Sequence, residues 1–188
     1  MIDVLVVDDH PAIRAGLVAL LRGEPGIVPV GAARGVEDAL ACADRSRPDV
    51  AIVDYELSDG DGLSLCYELN SRAAAPRVLI YSAFASAGLH LASRAAGAAG
   101  VLDKSASPEE LFNTIRAVAA GRLAPPVMRP EQMVAAGTRL ENEDRPILAM
   151  LLEGVPPDEV AAVLGLGASE LDGRVRGIFA RLATPTGR

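Results

Sequence analysis

Aromatic residues are scarce in this sequence, which has three Tyr, three Phe and no Trp among its 188 residues. A hydrophobic core must therefore be built mainly from aliphatic side chains. Because 50% of the residues are apolar, the chain is long and apolar enough to form such a core. This composition excludes a disordered protein.

Long apolar runs are also missing. No stretch approaches the ~20 consecutive apolar residues of a membrane span, and Asp3 stands where a signal peptide would carry positive charge. The two cysteines, Cys42 and Cys66, lack the C-x-x-C spacing of a metal or redox site and are too few for a disulfide framework. We therefore expect a cytoplasmic protein with no membrane partner.

Positive charge is in deficit, with 18 Lys and Arg against 25 Asp and Glu. Residues 140–188 alone hold five basic and eight acidic side chains. A polyanion such as DNA would have to be held by a local patch of basic side chains against its phosphates, because no segment forms a basic arm. Lys104 is the one lysine, and its compact ammonium can enter a tight phosphate site that a planar guanidinium cannot.

Short runs rich in Val and Ile alternate with segments of helical period over residues 1–122. This alternation predicts an α/β domain with a five-stranded parallel sheet and crossover helices. The predicted strands are Ile2–Val7, Ile27–Ala33, Val50–Asp54, Arg77–Ser82 and Gly100–Leu102. The predicted helices are Pro11–Arg22, Val36–Arg45, Gly62–Ser71, Ala87–Ala96 and Pro108–Ala120.

Polar residues stand at the ends of four predicted strands. Asp8 and Asp9 follow the first strand, and Asp54 ends the third. Ser82 ends the fourth strand, and Lys104 lies just beyond the fifth. Ligands of such sheets bind beyond the carboxyl ends of the strands. We therefore expect three carboxylates, one hydroxyl and one ammonium to converge at one edge.

Three clustered carboxylates stay ionised at neutral pH only if a cation shares their site. Oxygen ligands with open positions for water suit Mg²⁺, so Asp8, Asp9 and Asp54 are predicted to bind it. A carboxylate beside bound Mg²⁺ can attack phosphorus and form an aspartyl phosphate, with Lys104 and Ser82 as donors to the transferring group. Taken singly, an acidic pair after a strand is more often a solvated turn. The prediction depends on their joint placement.

Other phosphate-handling proteins with parallel sheets fit less well. A haloacid-type phosphatase would carry a D-x-D-x-T run, and here Glu56 takes the second acidic position without the Thr. A flavin-binding protein would need a hydroxyl- and Gly-rich loop after the first strand, where Asp8 and Asp9 would repel the phosphate. No G-x-x-x-x-G-K-[ST] loop occurs in the sequence.

Four motifs resemble the receiver domain of two-component response regulators over residues 1 to about 122. They are V-V-D-D-H (6–10), V-D-Y-E-L-S-D-G-D-G-L (53–63), Y-S-A (81–83) and G-V-L-D-K (100–104). The resemblance implies a flavodoxin-like fold in which Asp54 accepts a phosphoryl group from a sensor histidine kinase. It also implies that the protein is not an enzyme, apart from slow hydrolysis of the aspartyl phosphate on itself.

The same resemblance assigns roles to the surrounding residues. Lys104 would pair with the phosphoryl group, and Ser82 would move towards it and relay the switch. Val101 stands where the family commonly carries an inward-swinging Tyr or Phe, and Leu-Ser-Asp (57–59) stands where it usually has Met-Pro. The implied Mg²⁺ ligands are the carboxylates of Asp8, Asp9 and Asp54 and the backbone carbonyl of Glu56.

The second part of the chain reads differently. Residues 123–140 contain three prolines and predict a semi-rigid linker with room for one short helix. Helical period returns over 141–188, which predicts a second, small all-α domain. Its predicted helices are Asn142–Leu152, Pro157–Leu164 and Ala168–Leu182, the last with a buried stripe of Leu171, Val175, Ile178 and Leu182.

The motifs L-A-M-L-L-E-G-V (148–155) and E-V-A-A-V-L-G-L (159–166) resemble the LuxR-type helix-turn-helix. A receiver joined to this module is the NarL/FixJ class of response regulator, in which phosphorylation frees or dimerises a DNA-reading domain. DNA and a second copy of the chain, as a homodimer, are therefore candidate partners beside the kinase.

The DNA-reading positions depart from that family. Where its pattern S-x-x-T-V-K-x-H-V has Thr and Lys, this chain has Glu170 and Asp172. Arg174, Arg176 and Arg181 remain candidates for phosphate contact, with a solvated helix face as the alternative. Two hypotheses stay open: an output domain that binds DNA and regulates transcription, and one that mediates protein interaction or dimerisation without DNA affinity.

Overall fold

Five parallel strands form one sheet within the first 122 residues of the computed structural model, which describes residues 1–122 and 130–184. The strands of the chain are β1 (Ile2–Val7), β2 (Ile27–Ala33), β3 (Val50–Asp54), β4 (Glu56–Leu57), β5 (Gly60–Asp61), β6 (Arg77–Ser82) and β7 (Gly100–Asp103). The parallel sheet has the order β2-β1-β3-β6-β7, while β4 and β5 form a separate antiparallel hairpin. The predicted α/β fold class is confirmed.

Helices cover both faces of the sheet and form the C-terminal part. The receiver-like part contains α1 (Pro11–Arg22), α2 (Val36–Ser46), α3 (Gly62–Asn70), α4 (Ala87–Ala95) and α5 (Pro108–Ala119). The C-terminal part contains α6 (Pro130–Gly137), α7 (Asp144–Leu152), α8 (Pro157–Leu164) and α9 (Ala168–Ala183). Helix α6 lies in the predicted linker 123–140, whose residues 123–129 are outside the described residues.

Strand β3 is buried along its whole length and pairs with β1 on one side and β6 on the other. Its residues alternate between the two faces, so Val53 joins the apolar cluster under α2, α3 and α4, while Ile52 joins the cluster under α1 and α5. A strand buried on both faces needs a continuous apolar run. That run is what made its position predictable from sequence.

Helix α7 begins two residues later than the sequence predicted, at Asp144 instead of Asn142. The reason is Pro146, which has no backbone N–H. A helix starting at Asn142 would place Pro146 where it must donate to the carbonyl of residue 142, whereas a start at Asp144 puts it in the first turn.

None of the described helices is long and apolar enough to cross a membrane.

The hairpin of β4 and β5 fixes the loop that follows Asp54. At its tip, both carboxylate oxygens of Asp59 accept hydrogen bonds from the backbone N–H of Val36, at 3.0 and 2.9 Å. The N-cap residue of α2 is Gly35, which has no side chain to cap the helix. A residue from a distant loop therefore supplies the cap of α2.

We expect Asp59→Ala to lower the free energy of unfolding by about 1 kcal/mol, the usual cost of losing a helix cap. Urea unfolding followed by circular dichroism measures this loss. Glu37→Ala is the matched control, since Glu37 also brings a negative charge to the first turn of α2. Equal losses in the two variants would contradict a specific capping role.

The C-terminal helices pack onto the receiver-like part instead of standing apart from it. Helix α9 contacts α4 and α3 on one side and α7 and α8 on the other. Phe179 of α9 is fully buried, and its ring meets that of Tyr67 of α3 edge to face at 6.0 Å. One apolar cluster therefore runs from beneath α3 and α4 into the C-terminal helices.

Candidate acidic site at the sheet edge

Residues from four neighbouring strands meet at the carboxyl edge of the sheet. Asp8 follows β1, Asp54 ends β3, Ser82 ends β6 and Lys104 follows β7. Because these strands are adjacent in the order β1-β3-β6-β7, their C-terminal ends bring the side chains together. The convergence that the sequence predicts is present in the structure.

Lys104 is the centre of the cluster. Its Nζ atom lies 2.9 Å from Asp8 Oδ2 and 2.7 Å from Asp54 Oδ2. Both carboxylates are almost fully buried, at 0% and 4% exposure. Two buried carboxylates side by side would repel each other strongly without a cation between them, so the ammonium holds the pair together.

Burial and pairing set the charge of these groups. Burial raises the pKa of Asp54 above its ordinary value, although the hydrogen bond from Lys104 opposes the rise. Burial alone would lower the pKa of Lys104, but its hydrogen bonds to Asp54 and Asp8 outweigh that effect and raise the pKa. Lys104 therefore remains a cation throughout the physiological pH range.

The two carboxylates differ in how they are held. Asp8 Oδ1 accepts a 2.8 Å hydrogen bond from the backbone N–H of His10, so both of its oxygens have a close donor. Among the described residues, Asp54 Oδ1 has only a long contact, at 3.4 Å, from the N–H of Glu56. Of the four carboxylate oxygens of Asp8 and Asp54, Asp54 Oδ1 is therefore the one without a close donor among the described residues.

Asp9 and His10 extend the cluster towards solvent. One ligand atom each from Asp8, Asp9, His10 and Asp54 can be chosen so that all four lie within 4.8 Å of one another. Asp9 Oδ1 is shielded from solvent and accepts no hydrogen bond from the described residues. Such a carboxylate oxygen suits a cation, so the donor set fits the predicted Mg²⁺. His10 belongs to the V-V-D-D-H motif, and the sequence alone indicated no role for its imidazole.

The predicted switch residues lie on β6 and β7, the two strands next to β3 on one side. Ser82 is buried, and its Oγ accepts a 3.2 Å hydrogen bond from the N–H of Phe84. Val101 packs at the margin of the cluster under α4, and the roles of both residues stay predictions. Tyr81, which precedes Ser82 in the Y-S-A motif, lies on the opposite face of the sheet, and its hydroxyl donates to the carbonyl of Lys104 at 3.3 Å.

The predicted DNA-contacting arginines have different surroundings from one another. Arg174 Nε donates to Asp144 Oδ1 at 2.9 Å, and the guanidinium of Arg181 donates to Asp144 Oδ2 at 2.7 Å. Asp144 is 3% exposed, so these two arginines hold a buried carboxylate of α7. Arg176 instead lines a groove between α9 and α3 together with Asp172.

Helices α4 and α9 approach each other closely at Gly88. A Cβ atom on Gly88 would overlap the carbonyl oxygen of Leu182 and lie 3.2 Å from its carbonyl carbon. Arg139 donates to the carbonyls of Leu182 and Thr184 at 3.3 and 2.9 Å, so these two carbonyls at the C-terminal end of α9 have a hydrogen-bond donor. The end of α9 is therefore fixed directly against α4.

Comparison with known sequences agrees with this geometry. Residues 4–116 match the family model described as the response regulator receiver domain. Over 192 aligned residues the chain is 33% identical to the DNA-binding transcriptional activator DevR/DosR of Mycobacterium tuberculosis, which covers 97% of this chain and 88% of that protein.

Solved structures extend the comparison. The receiver domain of the response regulator NarL from Mycobacterium tuberculosis is similar with a TM-score of 0.62 at 32% identity, over 64% of this chain and 98% of that one. The response regulator ChrA of a heme-sensing two-component system is similar with a TM-score of 0.56 at 28% identity, over 98% of this chain and 92% of that one. The second similarity includes the C-terminal helices.

Proposed function

Because the chain belongs to the response regulator family, in the class that joins a receiver to a LuxR-type output, we propose that Asp54 accepts a phosphoryl group from a sensor histidine kinase. The observation that carries this proposal is the position of Lys104, whose ammonium bridges Asp8 and Asp54. A cation already placed against the acceptor can stay with the phosphoryl oxygens once they arrive.

The difference between the carboxylates supports Asp54 as the nucleophile. Asp8 has a donor on each oxygen, whereas Asp54 Oδ1 is held only by the long contact from Glu56. That oxygen would attack phosphorus, the bond from phosphorus to the donor's imidazole nitrogen would break, and the nitrogen would keep the electron pair. The product is an aspartyl phosphate on Asp54.

Mg²⁺, held by Asp8, Asp9, Asp54 and the backbone carbonyl of Glu56, would neutralise charge on the transferring group. Lys104 would then pair with the phosphoryl oxygens, and Ser82 would donate its hydroxyl to them. The acyl phosphate would be lost again by slow hydrolysis on the chain itself. Incubation with acetyl phosphate and Mg²⁺, followed by intact mass spectrometry, tests the proposal through the gain of one phosphoryl group.

We propose that the C-terminal helices carry the output by contacting DNA, since the similar protein DevR/DosR is a DNA-binding transcriptional activator. Arg176 is the arginine available for a phosphate contact, since Arg174 and Arg181 are engaged by Asp144. Arg176 is exposed, but α9 itself packs against α4 and α3, so insertion of this helix into a DNA groove would require α9 to move away.

A second candidate function is a protein-interaction or dimerisation module. The observation that favours it is the pairing of Arg174 and Arg181 with Asp144, which engages two of the candidate phosphate-contacting arginines. Residues 140–188 also contain more acidic than basic side chains. Such a surface repels phosphates.

A gel-shift titration at low salt, with and without a beryllofluoride phosphate mimic, separates the two functions. We expect duplex DNA to bind only with the mimic present, and Arg176→Ala to lower the salt dependence by about one counterion. Arg174→Ala is the matched control. Because Arg174 pairs with the buried Asp144, we expect this substitution to lower the free energy of unfolding and to leave the salt dependence of DNA binding nearly unchanged. No shift at micromolar protein with the mimic present would favour the protein-interaction function.

A substitution at Gly88 would separate α9 from α4 without changing a residue of the acidic site or an arginine proposed to contact DNA. In Gly88→Ala the new Cβ would push the C-terminal end of α9 off α4, while the sheet keeps its own core. We expect faster hydrogen exchange throughout α9 with unchanged exchange in β1 and β3.

Gly177→Ala is the matched control for this variant. A Cβ on Gly177 meets nothing within 4 Å, so alanine should stabilise α9 by about 1 kcal/mol through helix propensity alone. Unchanged hydrogen exchange in α9 of Gly88→Ala would show that the contact at Gly88 does not hold α9 against α4.

A further inference from the structure

A cavity of about 370 Å³ lies where the receiver-like part meets the C-terminal helices. Pockets that bind small molecules in proteins typically have volumes of ~300–1,000 Å³. One wall is formed by the C-terminal ends of α3 and α4, and the opposite wall by the end of α7 and the beginning of α8. The cavity is therefore large enough for a small organic molecule, which would contact both parts of the chain.

The cavity wall is mostly apolar. Besides the ring of Tyr67, its apolar residues are Ala95, Ala96, Leu151, Val155, Pro156 and Pro157. The hydroxyl of Tyr67 is shielded from solvent and has no hydrogen-bond partner among the described residues, so a side chain of the wall has unused hydrogen-bonding capacity. Such a wall suits a ligand with an apolar body and a polar group.

The charged and polar groups of the wall favour a cation. An α-helix has a negative end at its C-terminus, where the last carbonyl groups lack partners within the helix. Three helices, α3, α4 and α7, end at the cavity, and the last turns of α3 and α7 contain no basic residue. Arg94 in the last turn of α4 is not part of the wall.

Helix α8 begins at the cavity and would bring a positive end to it. Its first turn contains Asp158 and Glu159, whose carboxylates offset that end. Asp158 is also the one charged residue among the described residues that line the cavity. The cavity therefore attracts a positive charge and repels a negative one.

The wall is held in shape by contacts within the protein. Asn70 Nδ2 donates to the carbonyl of Ala96 at 2.9 Å and so joins the ends of α3 and α4. The N–H of Val155 donates to the carbonyl of Met150 at 3.0 Å and closes the turn between α7 and α8. A wall that is already formed lowers the entropic cost of binding a ligand.

We infer that this cavity binds a small organic cation, an amine with an apolar body, and that the bound amine holds the C-terminal helices against the receiver-like part. The apolar wall takes the hydrocarbon part, and Asp158 and the carbonyls at the helix ends accept hydrogen bonds from the ammonium. Because the walls belong to both parts, binding stabilises the contact between them by mass action. This site does not depend on phosphorylation of Asp54.

Titration of the full chain with 2-phenylethylamine, followed by NMR of the backbone amides, tests the inference. The neutral 2-phenylethanol and the anionic 3-phenylpropanoate are probes of similar size and shape. We expect amide shifts at Gly97 and Gly154, which line the cavity, and none at Gly16 of α1. The alcohol should bind about tenfold more weakly than the amine, since it lacks the charge-assisted hydrogen bonds, and the anion should not bind.

Asp158→Asn keeps the shape of the wall and removes its charge. We expect this variant to bind the amine about fivefold more weakly and the alcohol as the parent does. Glu159→Gln is the matched control, because Glu159 lies in the same first turn of α8 but outside the wall, and its affinity for the amine should be unchanged.

Hydrogen exchange measures the second part of the inference. Saturation with 2-phenylethylamine should slow exchange in α7 and α8, whose residues form one wall. No amide shift at Gly97 and Gly154 in millimolar amine, or equal affinities for the amine and the alcohol, overturns the binding site. Unchanged exchange in α7 and α8 of the saturated protein overturns the stabilising role of the ligand.

Discussion

Asp54→Asn is expected to reduce phosphoryl labelling by acetyl phosphate to background. The amide cannot replace the carboxylate oxygen that attacks phosphorus, and the neighbouring Asp8 has both of its oxygens engaged by donors. Intact mass spectrometry after incubation with Mg²⁺ and acetyl phosphate gives the result directly. Labelling that persists in the variant would show that another side chain is the acceptor.

The loss should not come from misfolding. Burial raises the pKa of Asp54, so ionisation of this group at neutral pH costs folding free energy that a neutral amide does not. The variant should therefore be no less stable than the parent in thermal unfolding at neutral pH. Asp103→Asn is the matched control, because Asp103 also ends a strand of the sheet, β7, but accepts hydrogen bonds from Ser105. Labelling of this variant should be unchanged.

Gly62→Ala is expected to have the largest effect on stability. A Cβ on Gly62 would overlap the carbonyl oxygen of Asp54 and lie 3.0 Å from its carbonyl carbon and 3.1 Å from Tyr55 Cα. All three atoms belong to the backbone of the strand end, so no side-chain rotation relieves the overlap. We expect a loss of about 3 kcal/mol in the free energy of unfolding, together with slower labelling of the displaced Asp54.

Gly60→Ala provides the comparison in the same loop. Its Cβ would meet Val36 Cγ2 at 2.9 Å, and a methyl group at the end of a side chain can move aside. Urea unfolding and labelling rates of the two variants should differ clearly. Similar losses of stability would mean that the whole loop, and not the close approach to Asp54, limits substitution here.

Local patterns were enough to predict the sheet and the edge that carries the site. Four of the five predicted strands have the bounds found in the structure, and the fifth extends by one residue to Asp103. Runs of Val and Ile bounded by polar turns identify such strands because both faces are covered. The order of the strands then brings Asp8, Asp54 and Lys104 together.

Contacts between distant segments could not be predicted in this way. Asp59 caps a helix that begins 23 residues earlier, and the hairpin that carries it has two-residue strands with acidic ends. The periodicity of α9 predicted its buried stripe correctly. This periodicity contains no information about the buried Asp144 of α7. The sequence therefore could not show that Arg174 and Arg181 pair with a carboxylate while Arg176 does not line up with it.

The burial of Phe179 between α9 and α3 also sets a limit on signalling. Under the proposed function, phosphorylation of Asp54 would have to outweigh the apolar contacts that hold α9 against α3. Raising the fraction of open molecules from about 1% to about 99% takes about 5.5 kcal/mol. The strength of the apolar interface between α9 and α3 would therefore determine the dynamic range of the response. A weaker interface would leave some molecules open without a stimulus, and a stronger one would keep some closed after phosphorylation.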